Sequence, residues 1–203
     1  MNTNLIRLTE DINPAWGKAA FIDVETTGLN PAHEEIIEFA ISLFAFNQES
    51  GKILGIIDEY NGLREPSCPI SRGAFMVHQI NKEAVKGMIL DRAKIEDLIS
   101  QADFLIAHNA RFDKNFVSKL FPMALTKPWY CSMNGIKWYQ KGYSSKALQK
   151  LLAAHRIKVE EAHRAGADVR GCLLLLSQVN EEGITYLLEL IKGYQKKQDN
   201  RVV

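Results

Sequence analysis

Cysteine is scarce in this sequence, and its three cysteines show no pattern of disulfides or metal ligands. Cys68, Cys131 and Cys172 are spread over 203 residues, without a CxxC pair or clustered histidines. That spacing argues against a disulfide-stapled domain and a cysteine zinc site, and it indicates reduced thiols. We therefore expect a cytoplasmic protein.

Long hydrophobic runs are also missing. No apolar stretch approaches the roughly 20 residues of a membrane helix, and the first residues, MNTNLIRLTEDINPAWGK, lack the charged-then-apolar layout of a secretory signal. We expect no association with membranes.

With 46% apolar and 24% charged residues, the chain suits a single domain over 1–203. Its core is expected over about 18–180, followed by a helix over about 184–198.

Acidic residues are absent from the stretch 114–159, although the whole chain has a net charge of only +1. This stretch carries nine basic residues, with aromatic rings between them. Such a pattern is typical of a groove for single-stranded nucleic acid, with Lys137, Lys141 and Lys146 as candidate contacts. An ordinary solvated helical surface, with the rings in the core, explains the pattern equally well.

The hydrophobic pattern predicts an α/β fold. Strands are expected over 19–24, 36–46 and 52–60 as an antiparallel meander with a turn at 47–51, and shorter strands over 103–107 and 128–131. Helices are expected over 91–100, 111–120, 145–154, 168–179 and 184–198. Strands that are first antiparallel and then alternate with helices imply a mixed sheet flanked by helices.

Two carboxylates, Asp23 and Glu25, end the first predicted strand in the segment AAFIDVETTGL. Residues two apart share one face of a strand, so both acids are held together beside the sheet. A bound divalent cation such as Mg²⁺ or Mn²⁺ would relieve their repulsion. A strand end that simply carries acids is the alternative at this point.

Three further residues extend this acidic pattern. Asp113 follows the short strand 103–107, and ligands commonly bind at the carboxyl ends of strands in such sheets. An acid that only stabilises the start of its helix is the alternative for Asp113. His163 and Asp168 lie five residues apart in HRAGAD, so we expect His163 in the entering loop and Asp168 at the start of a helix. Four acids and a histidine in this order favour two-metal phosphodiester hydrolysis, with His163 as general base.

The segments FIDVETTGL, VHQI, AHNARFD and HRAGAD resemble the successive motifs of the DEDD-type 3′–5′ exonucleases, in the branch that contains a catalytic histidine. That branch includes the proofreading epsilon subunit of bacterial replicative DNA polymerase III. The resemblance runs from about residue 21 to 178. It implies a ribonuclease-H-like fold with a five-stranded mixed sheet.

The resemblance also implies roles for individual residues. Two divalent cations, Mg²⁺ or Mn²⁺, would be held by four acids, Asp23, Glu25, Asp113 and Asp168, with Asp23 between the metals and His163 as the base. The terminal nucleotide would be contacted by Thr26, Thr27, Gly28, Leu29, Val77, His78 and Asn109.

Two departures from the family pattern stand out. Gln79 occupies the position after the histidine of VHQI, where the family often has glycine. The chain also ends soon after the nuclease core, without a long tail, and QADFL at Gln101 is only faintly similar to a clamp-binding peptide. We therefore expect a freestanding nuclease rather than one tethered to a polymerase.

The predicted activity is 3′–5′ exonucleolytic release of nucleoside 5′-monophosphates from single-stranded ends, with DNA favoured over RNA. The alternatives are an exoribonuclease and a non-catalytic nucleic-acid-binding module of a polymerase or repair complex. A partner or a second copy of the chain would be expected only if the apolar face of the C-terminal helix were exposed.

Overall fold

A five-stranded mixed sheet forms the centre of the molecule in a computed structural model that describes residues 5–9, 13–159 and 162–199. The strand order is β3-β2-β1-β4-β5. The strands are β1 (Gly17–Thr26), β2 (Ile36–Phe46), β3 (Ile53–Leu63), β4 (Phe104–Ala107) and β5 (Trp129–Cys131). The first three are antiparallel, whereas β4 runs parallel to β1 and β5 parallel to β4. The predicted meander and mixed sheet are confirmed.

Helices cover both faces of the sheet within the described ranges. They are α1 (Arg72–His78), α2 (Lys82–Val85), α3 (Arg92–Gln101), α4 (Ala110–Leu120), α5 (Ser132–Gly135), α6 (Leu148–Ala154), α7 (Ala165–Leu176) and α8 (Tyr186–Asp199), with 3₁₀ turns at Pro122–Thr126 and Trp138–Lys141. No helix among the described residues is long and apolar enough to cross a membrane.

The alternation of side chains along β1 divides the core into two layers. Ala19 and Phe21 face a layer that includes residues of α6, α7 and α8, whereas Ala20 and Ile22 face a layer built with α3 and α4. Because β1 is apolar on both faces from residue 19 to residue 22, the acidic residues of this strand lie at its carboxyl end.

The C-terminal helix packs on its own domain. Leu187 and Leu190 of α8 are fully buried, and the ring of Tyr194 stacks on that of Tyr130 with centroids 4.2 Å apart. The hydroxyl of Tyr194 also accepts a hydrogen bond from the Cys131 N–H at 2.9 Å. The part of this apolar face that the structure describes is therefore covered by the helix's own domain.

Candidate active site

Asp23 and Glu25 continue the side-chain row of Ala19 and Phe21 and therefore lie on the α7 face of the sheet. They stand at the carboxyl end of β1. Because β4 is parallel to β1, its carboxyl end lies at the same edge. The strand arrangement thus collects the polar segments after β1 and β4 at one edge of the sheet.

Asp168 reaches the same edge from the first turn of α7. One carboxylate oxygen from each of Asp23, Glu25 and Asp168 lies within 4.8 Å of the others. The Nε2 of Gln149, on α6, donates a hydrogen bond of 2.8 Å to Asp168 Oδ1 and so fixes that carboxylate. Residues far apart in the chain therefore converge on a single acidic cluster.

Asp113 approaches from the opposite layer, on the first turn of α4. It is only 3% exposed, and the backbone N–H of Val24 hydrogen-bonds to its carboxylate. Since Val24 separates Asp23 from Glu25, this contact places Asp113 beside the other acids. Its role in the structure therefore goes beyond favourable interaction with the helix dipole.

Burial and mutual repulsion favour the protonated form of these acids. Burial, followed by repulsion from Asp168, raises the pKa of Glu25 to about 8, and burial raises the pKa of Asp113 to about 7. Burial and the neighbouring charges of Asp113 and Glu25 also raise the pKa of Asp23 well above its usual value. The pKa of Asp168 is raised by burial, although the nearby His163 opposes that shift.

This donor set fits hard divalent cations. All the candidate ligands are carboxylates, which Mg²⁺ and Mn²⁺ prefer. Their close approach and the raised pKa of each acid indicate that the positive charge nearby does not offset burial and mutual repulsion. Asp23, Glu25 and Asp168 are close enough to share an ion, and Asp113 lies near enough for its charge to raise the pKa of Asp23.

His163 lies in an exposed turn directly before α7, as the five-residue offset predicted. Its backbone has a φ of 63°, in the left-handed region that non-glycine residues seldom adopt. Its N–H hydrogen-bonds to the Asp168 carboxylate. The backbone of His163 is therefore held at the acidic cluster, the charge of its imidazole acts on Asp168, and the residue is exposed to solvent.

Glu38 is a fifth acid at this site, and sequence reasoning missed it. It pairs with Glu25 across β1 and β2, so the two side chains share one face. Glu38 has a close cationic partner, because Arg164 Nη2 lies 2.8 Å from its Oε1. The adjacency of Arg164 to His163 was visible in the sequence, but only the pairing of β1 with β2 reveals its partner.

The loop after β1 uses its threonine side chains internally. Thr26 Oγ1 donates to the Gly28 carbonyl at 2.6 Å, and Thr27 Oγ1 bonds to Glu34 and accepts from the Glu35 N–H at 3.0 Å. Both threonine side chains therefore shape the loop. Leu29, the last of the four nucleotide contacts predicted in this loop, presents its side chain outward and is 84% exposed.

A shallow depression of about 200 Å³ lies beside Leu29, in the loop that follows β1. Asn109 lines it, as do Phe112 and Arg111, which sequence reasoning did not single out. Asn109 immediately precedes α4 without capping it through its side chain. The structure thus brings Leu29 and Asn109 together at a space that could hold part of a nucleotide.

Helix α1 carries the VHQI segment. Val77 is 52% exposed, whereas His78 is buried and its Nδ1 accepts from the Ile80 N–H at 2.9 Å. Gln79 ends the helix in the left-handed conformation, with φ 58°. The backbone at Gln79 is therefore the one glycine favours, although glutamine occupies it.

The basic candidates differ in their surroundings. Lys141 Nζ is paired with Glu189 at 2.9 Å, and its side chain is 16% exposed. Lys137 is exposed, and Lys146 Nζ lies 5.2 Å from the centre of the exposed Tyr139 ring. Trp138 is fully buried, so one of the interleaved rings belongs to the core. Lys137 and Lys146 are consequently more available to a polyanion than Lys141.

Comparison with known proteins identifies the class. Residues 20–176 match the family model described as RNase_T exonuclease, so the chain belongs to this exonuclease family. It is 31% identical over 201 residues to the PolC-type DNA polymerase III of Thermotoga maritima, a match covering 87% of this chain and 13% of that protein. The corresponding protein of Bacillus subtilis is 28% identical over 183 residues, covering 83% and 12%. The chain thus spans about an eighth of these relatives.

Solved structures share the fold. Apo exonuclease I superposes with a TM-score of 0.69 at 16% identity, over 92% of this chain and 46% of that one. E. coli exonuclease I in complex with a dA16 oligonucleotide gives 0.67 at 18% identity, over 92% and 45%. Exonuclease X in complex with 5′-overhanging duplex DNA gives 0.53 at 24% identity, over 84% and 99%. The ribonuclease-H-like exonuclease fold expected from the motifs is confirmed.

Proposed function

We propose that the protein removes nucleoside 5′-monophosphates stepwise from the 3′ ends of single-stranded DNA, in a reaction that depends on divalent cations. The observation that carries this proposal is the convergence of Asp23, Glu25, Asp113 and Asp168 at one sheet edge, with His163 beside them. DNA is favoured because the relatives are DNA polymerases and the structural neighbours include a complex with a DNA oligonucleotide.

Each group has a defined part in this reaction. Asp23, Glu25, Asp113 and Asp168 would hold two Mg²⁺ or Mn²⁺ ions, which when bound activate water and stabilise the leaving 3′-oxygen. His163 accepts the proton of the attacking water at its imidazole. Leu29 and Val77 offer apolar contact to the terminal bases, and Asn109 holds the terminal sugar or phosphate.

Location and partners follow from the same reasoning. Three free thiols are consistent with a reducing compartment, and we propose a cytoplasmic location. Because the matching segment makes up about an eighth of its PolC-type DNA polymerase III relatives, association with a DNA polymerase or repair complex is a second proposal. A freestanding single-domain nuclease over 1–203 remains the alternative, and size measurement in the presence of a polymerase distinguishes them.

The direct test supplies end-labelled single-stranded DNA, duplex DNA and RNA together with Mg²⁺, Mn²⁺ or EDTA. We expect a ladder that shortens from the 3′ end of single-stranded DNA with either metal and no cleavage in EDTA. Faster shortening of RNA would redirect the proposal to an exoribonuclease. Binding of DNA without any cleavage would instead identify a non-catalytic module.

Asp113→Asn tests the acidic cluster with little change of side-chain shape. Removing one carboxylate from the proposed metal set should lower kcat by about 100-fold or more, since even outer partners of metal sites contribute about 10–100-fold. Steady-state kinetics and a melting curve measure activity and folding separately. Asp97→Asn, on the exposed side of α3, is the matched control and should retain full activity.

A further inference from the structure

The ion pair between Glu38 and Arg164 connects the sheet to the turn that carries His163. Arg164 Nε lies 3.2 and 3.1 Å from the two carboxylate oxygens of Glu38, and Nη2 lies 2.8 Å from Oε1. The backbone N–H of Ala165 also donates to Glu38 Oε2 at 3.0 Å. One carboxylate therefore binds two consecutive residues that follow His163.

These contacts occupy the acceptor capacity of Glu38. A carboxylate offers about four lone-pair positions, and here four N–H···O contacts converge on the two oxygens. The side chain is 1% exposed, so it cannot turn towards solvent for another ligand. Although Glu38 faces Glu25 across the strands, it is poorly placed to bind a cation.

The turn at His163 needs such support. A histidine with φ 63° is in a strained conformation, which persists only where the surrounding structure enforces it. On one side the N–H of His163 bonds to Asp168, and on the other Arg164 and Ala165 are held by Glu38. His163 thus lies between two anchors.

Packing alone does not hold this turn. An open groove of about 710 Å³ is lined by Glu38, Arg164, Gly166 and Ala167, together with residues of β3. If the ion pair were lost, the turn would have space into which to move. The hydrogen bonds of Glu38 are therefore one of the anchors that hold this turn in position.

We propose that Glu38 and Arg164 are positioning residues, which hold His163 beside Asp168 in its left-handed turn, and that Glu38 is not a metal ligand. This inference rests on the proposed function, because it explains the ion pair by the role of His163 as the general base. If the ion pair is broken, turnover should therefore fall because His163 is no longer held in place.

The first experiment measures kinetics of Glu38→Gln on single-stranded DNA. The amide keeps the size of the side chain but loses acceptor capacity, and Arg164, which is 36% exposed, can be solvated. We expect kcat to fall by about 10–100-fold, as for other orienting partners, with KM changed less than about twofold. Arg164→Lys, which cannot make a bidentate contact, should lose kcat to a smaller extent.

A double-mutant cycle separates positioning from general support of the fold. In the His163→Ala background, Glu38→Gln should change the residual kcat by less than about twofold, because the base that it positions is already gone. An equal fold-loss in both backgrounds would overturn the proposal. So would a loss of Mn²⁺ affinity in Glu38→Gln, since that result would make Glu38 a metal ligand.

Hydrogen exchange gives a readout that does not need activity. The Ala165 amide should exchange at least about tenfold faster in Glu38→Gln than in the wild type, and unchanged exchange would overturn the anchoring role. Glu59→Gln is the matched control, because Glu59 contacts Arg170 on the same helix at 3.8 Å in a more exposed pair. An inactive wild type would refute the proposed function alone, and the exchange data would still decide whether Glu38 anchors the turn.

Discussion

At the scale of single residues, the charge state of the acidic cluster links metal binding to stability. The pKa of Glu25 is about 8 in the fold, against an ordinary value of 4.5. At a pH between 4.5 and about 8, Glu25 keeps its proton in the folded chain and has released it in the unfolded chain. The free energy of unfolding of the metal-free protein should therefore fall as the pH rises towards 8.

Melting curves in EDTA from pH 7 to 8.5 measure this effect. Near pH 7 the unfolded chain still binds some protons at His78 and His108, whose pKa burial lowers in the fold, so these histidines oppose the effect of Glu25 there and their contribution fades as the pH rises. Glu25→Gln should reduce the decline in Tm, and Mn²⁺ should raise the Tm of the wild type more at pH 8 than at pH 7. A wild-type Tm independent of pH in EDTA would contradict the raised pKa.

The sequence could reveal the acids but not the contacts that control them. Asp23 and Glu25 are recognisable because two residues apart means one strand face, and His163 because its offset from Asp168 excludes a shared helix face. Glu38 looks like one more residue in an apolar strand. Its importance depends on the register between β1 and β2, which hydrophobic alternation alone does not fix across strands.

At the scale of elements, the end of α1 has an unfavourable backbone conformation. Gln79 has φ 58° and its N–H bonds to the Phe75 carbonyl, a helix end at which glycine avoids the steric cost of a Cβ. Gln79→Gly should raise the free energy of unfolding by about 0.5–1 kcal/mol. Urea denaturation measures the change, and Gln79→Ala, which retains a Cβ, should show no such gain.

Element positions were predictable where hydrophobic pattern and turn chemistry agree. Strand β2 was expected at the observed residues, and the 47–51 turn is formed by Asn47, whose Oδ1 accepts from the N–H groups of Glu49 and Ser50. Helix α7 begins three residues before its predicted start, at Ala165, whose N–H binds Glu38. That start is set by a tertiary contact, and local sequence does not contain it.

At the scale of the whole molecule, the basic stretch should divide into surface and structural charges. Lys146→Glu should weaken binding of single-stranded DNA and reduce the slope of log K against log salt by about 0.7 or more. Lys141→Glu places a second carboxylate beside that of Glu189. Because the two negative charges repel each other, the main effect should be a lower Tm. Binding titrations at several salt concentrations, with melting curves, distinguish these outcomes.

An equal loss of salt dependence in both variants would show that Lys141 leaves Glu189 to contact DNA. Retained affinity in Lys146→Glu would instead make this lysine an ordinary solvated residue. Lys52→Glu, on the hairpin side of the sheet and exposed, serves as a control for the change in net charge.

The acidic cluster draws its members from β1, α4 and α7, which lie in the first, middle and last parts of the chain. During synthesis on the ribosome, a nascent chain that has emerged only as far as α6 carries Asp23, Glu25 and Asp113 but neither His163 nor Asp168. A partial product that ends before α7 therefore lacks part of the site. Nuclease activity should therefore arise only after α7 has been synthesised, in one step and not gradually along the chain.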